Sequence, residues 1–342
     1  MDRKFFIHTV GGLVASSILP FGGGGTEEKD DNIVYKVPAY LKPGDTIGIT
    51  SPAGTITLEE LAPALGVLRS WGYQLKIGAA IGKKDFTRGG TDEERKADLQ
   101  DMLDDPKVKA ILCARGGYGI VRIIDSLTWT KFMQKPKWVI GFSDVTILHS
   151  HIHRHCRVAS IHSKMTNSFP EVWDKALPIQ VETILSIKDA LFGHKMQYAA
   201  GANAQNREGM AEGVLVGGNL KLLESMAGTP SDINTTGKIL FVEDTGEYLY
   251  SIDRMFWNLK RTGKLAYLKG LIVGGFSIKP DDEGEEFGRT LQEIVLEKVQ
   301  EYKYPVCFDF PVGHQRANYA LKCGIKHRLT VNQEGATLSE IV

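Results

Sequence analysis

Residues 108–119 read VKAILCARGGYG, and residues 138–146 read WVIGFSDVT. In both stretches an apolar run gives way to a glycine turn. After Lys109 the first run shows no polar alternation, as expected of a strand covered on both faces. The turn Arg115-Gly116-Gly117-Tyr118-Gly119 follows it, and the spacing predicts a helix over 120–127. The second run, 138–141, leads into Ser143, with a helix expected over 144–154. Strand, tight turn and helix in repetition predict a parallel sheet, right-handed crossovers, and a site at the carboxyl ends of the strands.

The same alternation extends to both sides. Residues 45–51 (DTIGITS) read as a strand stopped by Pro52-Ala53-Gly54. Leu58, Leu61, Leu65 and Leu68 recur three and four apart, which predicts a helix over 58–71. Residues 74–81 are strand-like, and 92–103 form a charged amphipathic helix with Thr91 as its N-cap. The stretch 167–208 is less regular, with a small polar segment AAGANAQN at 199–206, and reads as a linker. A second α/β half follows, with strands expected at 213–216, 238–242, 268–273 and 306–310. Its helices are expected from Gly217-Gly218-Asn219 to Met226, at 251–262 and at 290–301, and the tail from Ala320 reads as β. The expected organisation is a leader over 1–31, an N-terminal α/β domain over 32–166, a linker over 167–208 and a C-terminal α/β domain over 209–342.

Length and composition agree with this division. The chain has 342 residues, about two domains at roughly 150 residues each. It is 42% hydrophobic and 24% charged, too apolar for a disordered chain. Lys plus Arg and Asp plus Glu both number 41, which argues against a general nucleic-acid binder, whose affinity needs a positive surface. The 4 cysteines, at 113, 156, 307 and 323, show no CxxC spacing, so a zinc ribbon or thioredoxin-type site is not expected. Neither G-x-G-x-x-G nor G-x-x-x-x-G-K-[ST] occurs, so no nucleotide cofactor is expected. His149, His151, His153 and His155 resemble a metal tract, but only residues four apart share a helix face. The two pairs point in different directions and lack an H-E-x-x-H acid, so a solvated or interface helix is expected, with no metal.

The N-terminus begins with Arg3 and Lys4, and an apolar run of about 17 residues then ends at Phe21. That run is short for a membrane span, which needs about 20 residues, and fits a secretory signal peptide or a relaxed twin-arginine signal. The expectation is export, to the periplasm, with no stable membrane insertion once the leader is removed. An uncleaved anchor or a cytoplasmic protein with a loose N-terminus are the alternatives.

Three loops gather the reactive side chains. In Gly141-Phe142-Ser143-Asp144-Val145-Thr146 a Ser stands where a buried strand turns into a helix, whose N-terminal N–H groups could face an oxyanion. The pattern is not G-x-S-x-G, and taken alone the local sequence favours a mere capping role for Ser143 or Asp144. In Phe241-Val242-Glu243-Asp244-Thr245-Gly246-Glu247 an acid at the end of an apolar strand could orient a histidine, or merely cap a helix. In Phe310-Pro311-Val312-Gly313-His314-Gln315 a lone loop His has the chemistry of a general base.

Taken together, these segments resemble the LD-carboxypeptidases (muramoyltetrapeptide carboxypeptidases), including the microcin-immunity peptidases. The resemblance covers about residues 35–335 and rests on GDTIGITSPAG (44–54), ARGGYG (114–119), IGFSDVT (140–146), GVLVGGNLKLLESMAGTP (213–230), ILFVEDTGE (239–247), SIDRM (251–255) and FPVGHQRAN (310–318). It implies a serine hydrolase with Ser143 as nucleophile, Glu243 as acid and His314 as base. It also implies an oxyanion hole from the backbone N–H groups of Asp144 and Gly117, and no metal or cofactor. The implied fold is a doubly wound, flavodoxin-like N-terminal domain and a C-terminal α/β domain, with the active site in the cleft between them and a homodimer as the assembly. The implied reaction is cleavage between an L-centre and the terminal D-alanine of a murein tetrapeptide. Alternatives are a related serine peptidase acting on a microcin-like or other peptide conjugate, and a non-catalytic periplasmic ligand-binding protein. One departure stands out: where the family often has His-Gly-Pro-Met, this chain has His162-Ser163-Lys164-Met165, which places a cation at the cleft wall.

Overall fold

The computed structural model describes residues 34–341. The leader-like stretch expected over 1–31 lies outside the described residues. Five strands, β1 (Thr46–Thr50), β2 (Gln74–Ile77), β3 (Val108–Cys113), β4 (Trp138–Gly141) and β5 (Ser160–His162), lie parallel in the order β2-β1-β3-β4-β5. This is the flavodoxin-like order, whose switch point falls between β1 and β3. The continuous apolar runs have the cause anticipated from sequence. Alternate residues enter different layers: Ile111 and Val139 one, Leu112 and Ile140 the other, because successive strand side chains point to opposite faces.

The helices begin where the sequence supplies caps. In α1 (Leu58–Ser70) Thr57 Oγ1 accepts from the Glu60 N–H, and Glu60 returns a carboxylate to the Thr57 N–H. Thr91 and Glu94 repeat the device at α2 (Asp92–Asp104). Each reciprocal pair satisfies two otherwise orphaned donors.

Several elements differ from expectation. Residues 120–127 form two 3-10 turns, at Ile120–Arg122 and Ile124–Ser126, rather than one helix. The short α3 (Thr130–Gln134) follows them. The helix expected over 144–154 is shortened to α4 (Thr146–His151), continued by a wider π-type turn at Ile152–Cys156. The strand expected at 74–81 has only the four residues of β2. The linker reading of 167–208 needs the largest correction. This stretch holds α5 (Pro178–Phe192), a 15-residue helix whose Ile184, Ile187 and Leu191 pack into the core beneath β4 and β5. It also holds β6 (Gln197–Ala200), a four-residue edge strand too short to show an apolar pattern and run together in sequence with the small polar stretch that follows it.

The second sheet is mixed. β7 (Gly209–Asn219), β8 (Lys238–Glu247), β9 (Gly270–Ile278) and β10 (Val306–Cys307) are parallel neighbours, and β12 (Lys326–Asn332), β13 (Gly335–Glu340) and β6 extend the sheet antiparallel. Helices α6 (Leu220–Ser225), α7 (Leu249–Arg261) and α8 (Leu291–Lys298) pack on it. The expected β tail is present, but its first strand, β11 (Leu321–Cys323), pairs antiparallel with β5 of the first sheet. The boundary expected at 209 is therefore crossed twice, by β6 and by β11. One apolar cluster spans both sheets, joining Val139, Leu148 and Ile152 to Val216, Leu240 and Phe308. The four cysteines are free and buried, and no helix of the described residues is long and apolar enough to cross a membrane.

Candidate active site

The carboxyl ends of β1, β3 and β4 converge on one spot. The Gly54 N–H donates to the Gly116 carbonyl at 2.9 Å, tying the turn after β1 to the turn after β3. Arg95, a fully buried guanidinium on α2, donates to the carbonyls of Pro52 at 2.6 Å and Gly119 at 2.9 Å and pairs with Asp92. It thereby pins both turns from below. Sequence reading missed this residue, because a charge on an amphipathic helix ordinarily faces water.

Ser143 follows β4 at φ 61°, the left-handed region that costs an L-residue roughly 1–2 kcal/mol. The sharp turn lifts its side chain out of the sheet, leaving it half-buried while both neighbours, Phe142 and Asp144, are buried. A Cβ at Gly116 would stand 2.9 Å from the Ser143 Cβ and 3.0 Å from its Oγ, so only glycine allows the 114–119 loop this close. Among the described residues, no backbone carbonyl accepts from the N–H of Gly117 or of Asp144. The Asp144 carboxylate points away, accepting from the Ile120 N–H at 2.9 Å, and burial pushes its pKa up to about 6.

Glu243 lies near the end of β8, fully buried. Strand alternation sends it and Asp244 to opposite faces. Asp244 accepts from Asn219 Nδ2 at 3.0 Å and the Lys221 N–H at 2.9 Å. Glu243 Oε2 instead accepts from His314 Nδ1 at 2.6 Å and from the His314 N–H at 3.1 Å. A Cβ at Gly313, where φ is +104°, would come within 2.4 Å of the Glu243 Cβ, so glycine is required for this approach. A carboxylate can only accept, so Nδ1 carries the proton and Nε2 keeps a free lone pair. The His314 ring lies 4.8 Å from the ring of Phe142, the residue before Ser143. The structure thus brings the three loops together through the Glu243–His314 bond and the Phe142–His314 ring contact, while no hydrogen bond joins Ser143 to His314.

The histidine tract is not a solvated helix. His149, His151 and His153 are buried. His149 Nε2 bonds the Gly141 carbonyl at 2.9 Å, and His153 Nε2 meets Ser160 Oγ at 3.0 Å. His151 and His155 stack with centroids 4.4 Å apart and reach Ser231 Oγ at 2.9 Å and the Pro230 carbonyl at 2.7 Å. The tract is therefore an interface element joining the two halves.

Comparison with known proteins gives the family of this fold. Residues 47–163 match the LD-carboxypeptidase N-terminal domain, and residues 212–329 match the LD-carboxypeptidase C-terminal domain. The chain belongs to the LD-carboxypeptidase family. A probable murein peptide carboxypeptidase of Bacillus subtilis is 34% identical over 306 residues, 89% of this chain and 94% of that protein. The crystal structure of a muramoyltetrapeptide carboxypeptidase from Oxalobacter formigenes superposes with a TM-score of 0.76 at 27% identity, covering 86% of this chain and 98% of that one. A microcin C7 self-immunity protein in complex with aspartyl sulfamoyl adenosine shares the fold, with a TM-score of 0.77 at 23% identity over 90% and 99% of the two chains. The chain is accordingly a two-domain α/β peptidase of this carboxypeptidase family.

Proposed function

We propose that the protein is a serine-type LD-carboxypeptidase that removes the terminal D-alanine from murein tetrapeptides. The observation that carries the reading is the short Glu243–His314 contact of 2.6 Å, which leaves Nε2 as the basic atom beside the Ser143 turn. In this reaction Ser143 Oγ attacks the carbonyl of the L-centre while His314 Nε2 takes its proton. The Gly117 and Asp144 N–H groups receive the charge that develops on the carbonyl oxygen. His314 returns the proton to the amine of D-alanine, which leaves, and an ester remains on Ser143. Water, deprotonated by the same imidazole, then hydrolyses that ester. Glu243 holds the tautomer and offsets the imidazolium charge.

Export guided by residues 1–31 would bring this activity to periplasmic murein fragments. The test is mass spectrometry of muropeptides incubated with pure protein. Conversion of tetrapeptide to tripeptide with release of D-alanine is expected. Unaltered tetrapeptide would refute the substrate, and equal turnover by Ser143→Ala would refute the nucleophile.

A further inference from the structure

We infer that Lys164 receives the free carboxylate at the end of the substrate, and so is a specificity-determining residue of this site. The inference rests on the carboxypeptidase reading and extends it to a residue outside the Ser-His-Glu set.

Lys164 stands two residues beyond the carboxyl end of β5, beside the nucleophile turn. The preceding residue, Ser163, donates its N–H to the Gly141 carbonyl at 3.2 Å. The following one, Met165, places its Cε 3.3 Å from where a Cβ on Gly116 would be. The Lys164 ammonium donates to the Gln315 carbonyl at 2.7 Å and lies 5.8 Å from the centre of the Phe142 ring. It therefore touches the histidine loop and the residue before the nucleophile at once.

An ammonium has three donors, and the Gln315 carbonyl occupies one. The side chain is half-buried, and among the described residues no carboxylate lies within ion-pairing distance of it. The nearby acid, Glu243, gives Oε2 to His314 and acts on the ammonium only through space. A partly desolvated ammonium held by no direct ion pair gains from an anion that reaches its free donors. In a peptide cut at its last bond, the terminal carboxylate lies about one residue, roughly 3.5 Å, from the carbonyl under attack. A cation beside the nucleophile turn suits that anion. Arg115 and Arg316 sit on the neighbouring loops, but both are exposed, and exposed ion pairs discriminate weakly.

The test compares a murein tetrapeptide with its C-terminal amide, which keeps the scissile bond and removes the charge. Turnover is measured on wild type, Lys164→Met and Lys164→Arg. Binding is measured by calorimetry on Ser143→Ala with and without Lys164→Met. Wild type is expected to favour the acid about 10- to 100-fold, the range of one charge-assisted hydrogen bond. Lys164→Met is expected to bring the ratio close to one, and Lys164→Arg to restore much of it. A lysine that served only as a strut to Gln315 would lower acid and amide together and leave the ratio intact, which would overturn the inference. Turnover with a preference independent of Lys164 overturns this inference alone. Neither turnover nor binding of the tetrapeptide overturns the substrate reading and this one with it.

Discussion

Ser143 carries two burdens at once, a chemical one and a conformational one. Replacing it with Ala is expected to lower D-alanine release by at least about 10³-fold with an unchanged melting curve. Its φ of 61° makes a second substitution informative. Ser143→Gly relieves the left-handed strain, so it should melt no lower than wild type despite glycine's larger unfolded-state entropy. A clear drop in melting temperature would show that the side chain, not the turn, holds the loop together. Glu243→Gln keeps the size of the side chain but lets an amide face Nδ1, so the imidazole is free to adopt the wrong tautomer. The expected loss is about 10³- to 10⁴-fold in kcat. A loss under about tenfold would show that the acid does not orient His314.

At the level of elements, α5 shows what a linker reading overlooks. Ile187 on α5 is fully buried in the core under the first sheet. Ile187→Ala should therefore destabilise the protein by about 2–4 kcal/mol, while kcat/KM at low temperature stays near the wild-type value. Chemical denaturation and steady-state rates check the two halves of that statement. The parallel strands were legible in the sequence because burial on both faces removes all polar alternation, as in β3 and β4. Helix α1 was legible from the spacing of Leu58, Leu61, Leu65 and Leu68, and α2 from its charged amphipathic pattern behind the cap Thr91. Helix α5 was obscured by the irregular sequence around it and by the absence of a Ser, Thr, Asp or Asn cap at Leu177. The site loops could be located, since strand-end glycines mark close approach. The pairing of Glu243 with His314 could not be read from spacing, because it depends on a tertiary turn at Gly313. Arg95 gave no signal at all, since nothing local distinguishes a buried guanidinium from a solvated one.

For the whole molecule, burial sets the response to acid. Burial holds His149, His151 and His327 down at about 4 and His153 at about 3, and depresses His162 as well. Each is neutral when folded, and the unfolded chain takes up more protons once the pH falls below the ordinary value of 6.5. Their contribution is complete above pH 6.5 and is lost as pH falls towards 4. Asp144 and Asp244, raised by burial from 3.8 to about 6, act with the opposite sign. They favour folding below 3.8 and lose that contribution as pH rises through 6. The histidine loss begins first and involves more groups, so the melting temperature is expected to fall steadily from pH 7 to pH 5. A flat or rising curve over that interval would show that these rings are not buried in solution.

The path of the chain through β10 and β11 has a mechanical corollary. The segment that bears His314 stays tied to the second sheet as far as Gly313, which bridges to Gly275, and joins the first at Leu321, so residues 314–320 are slung like a rope bridge with a footing on each bank. Prising the lobes apart would pull the bridge taut and carry the imidazole, moored to Glu243, away from the Ser143 shore. Peptides should therefore enter sideways, along the rope, rather than through a yawning jaw. A version of this protein made as two separate pieces would leave β5 with a bare edge and the base without its second footing.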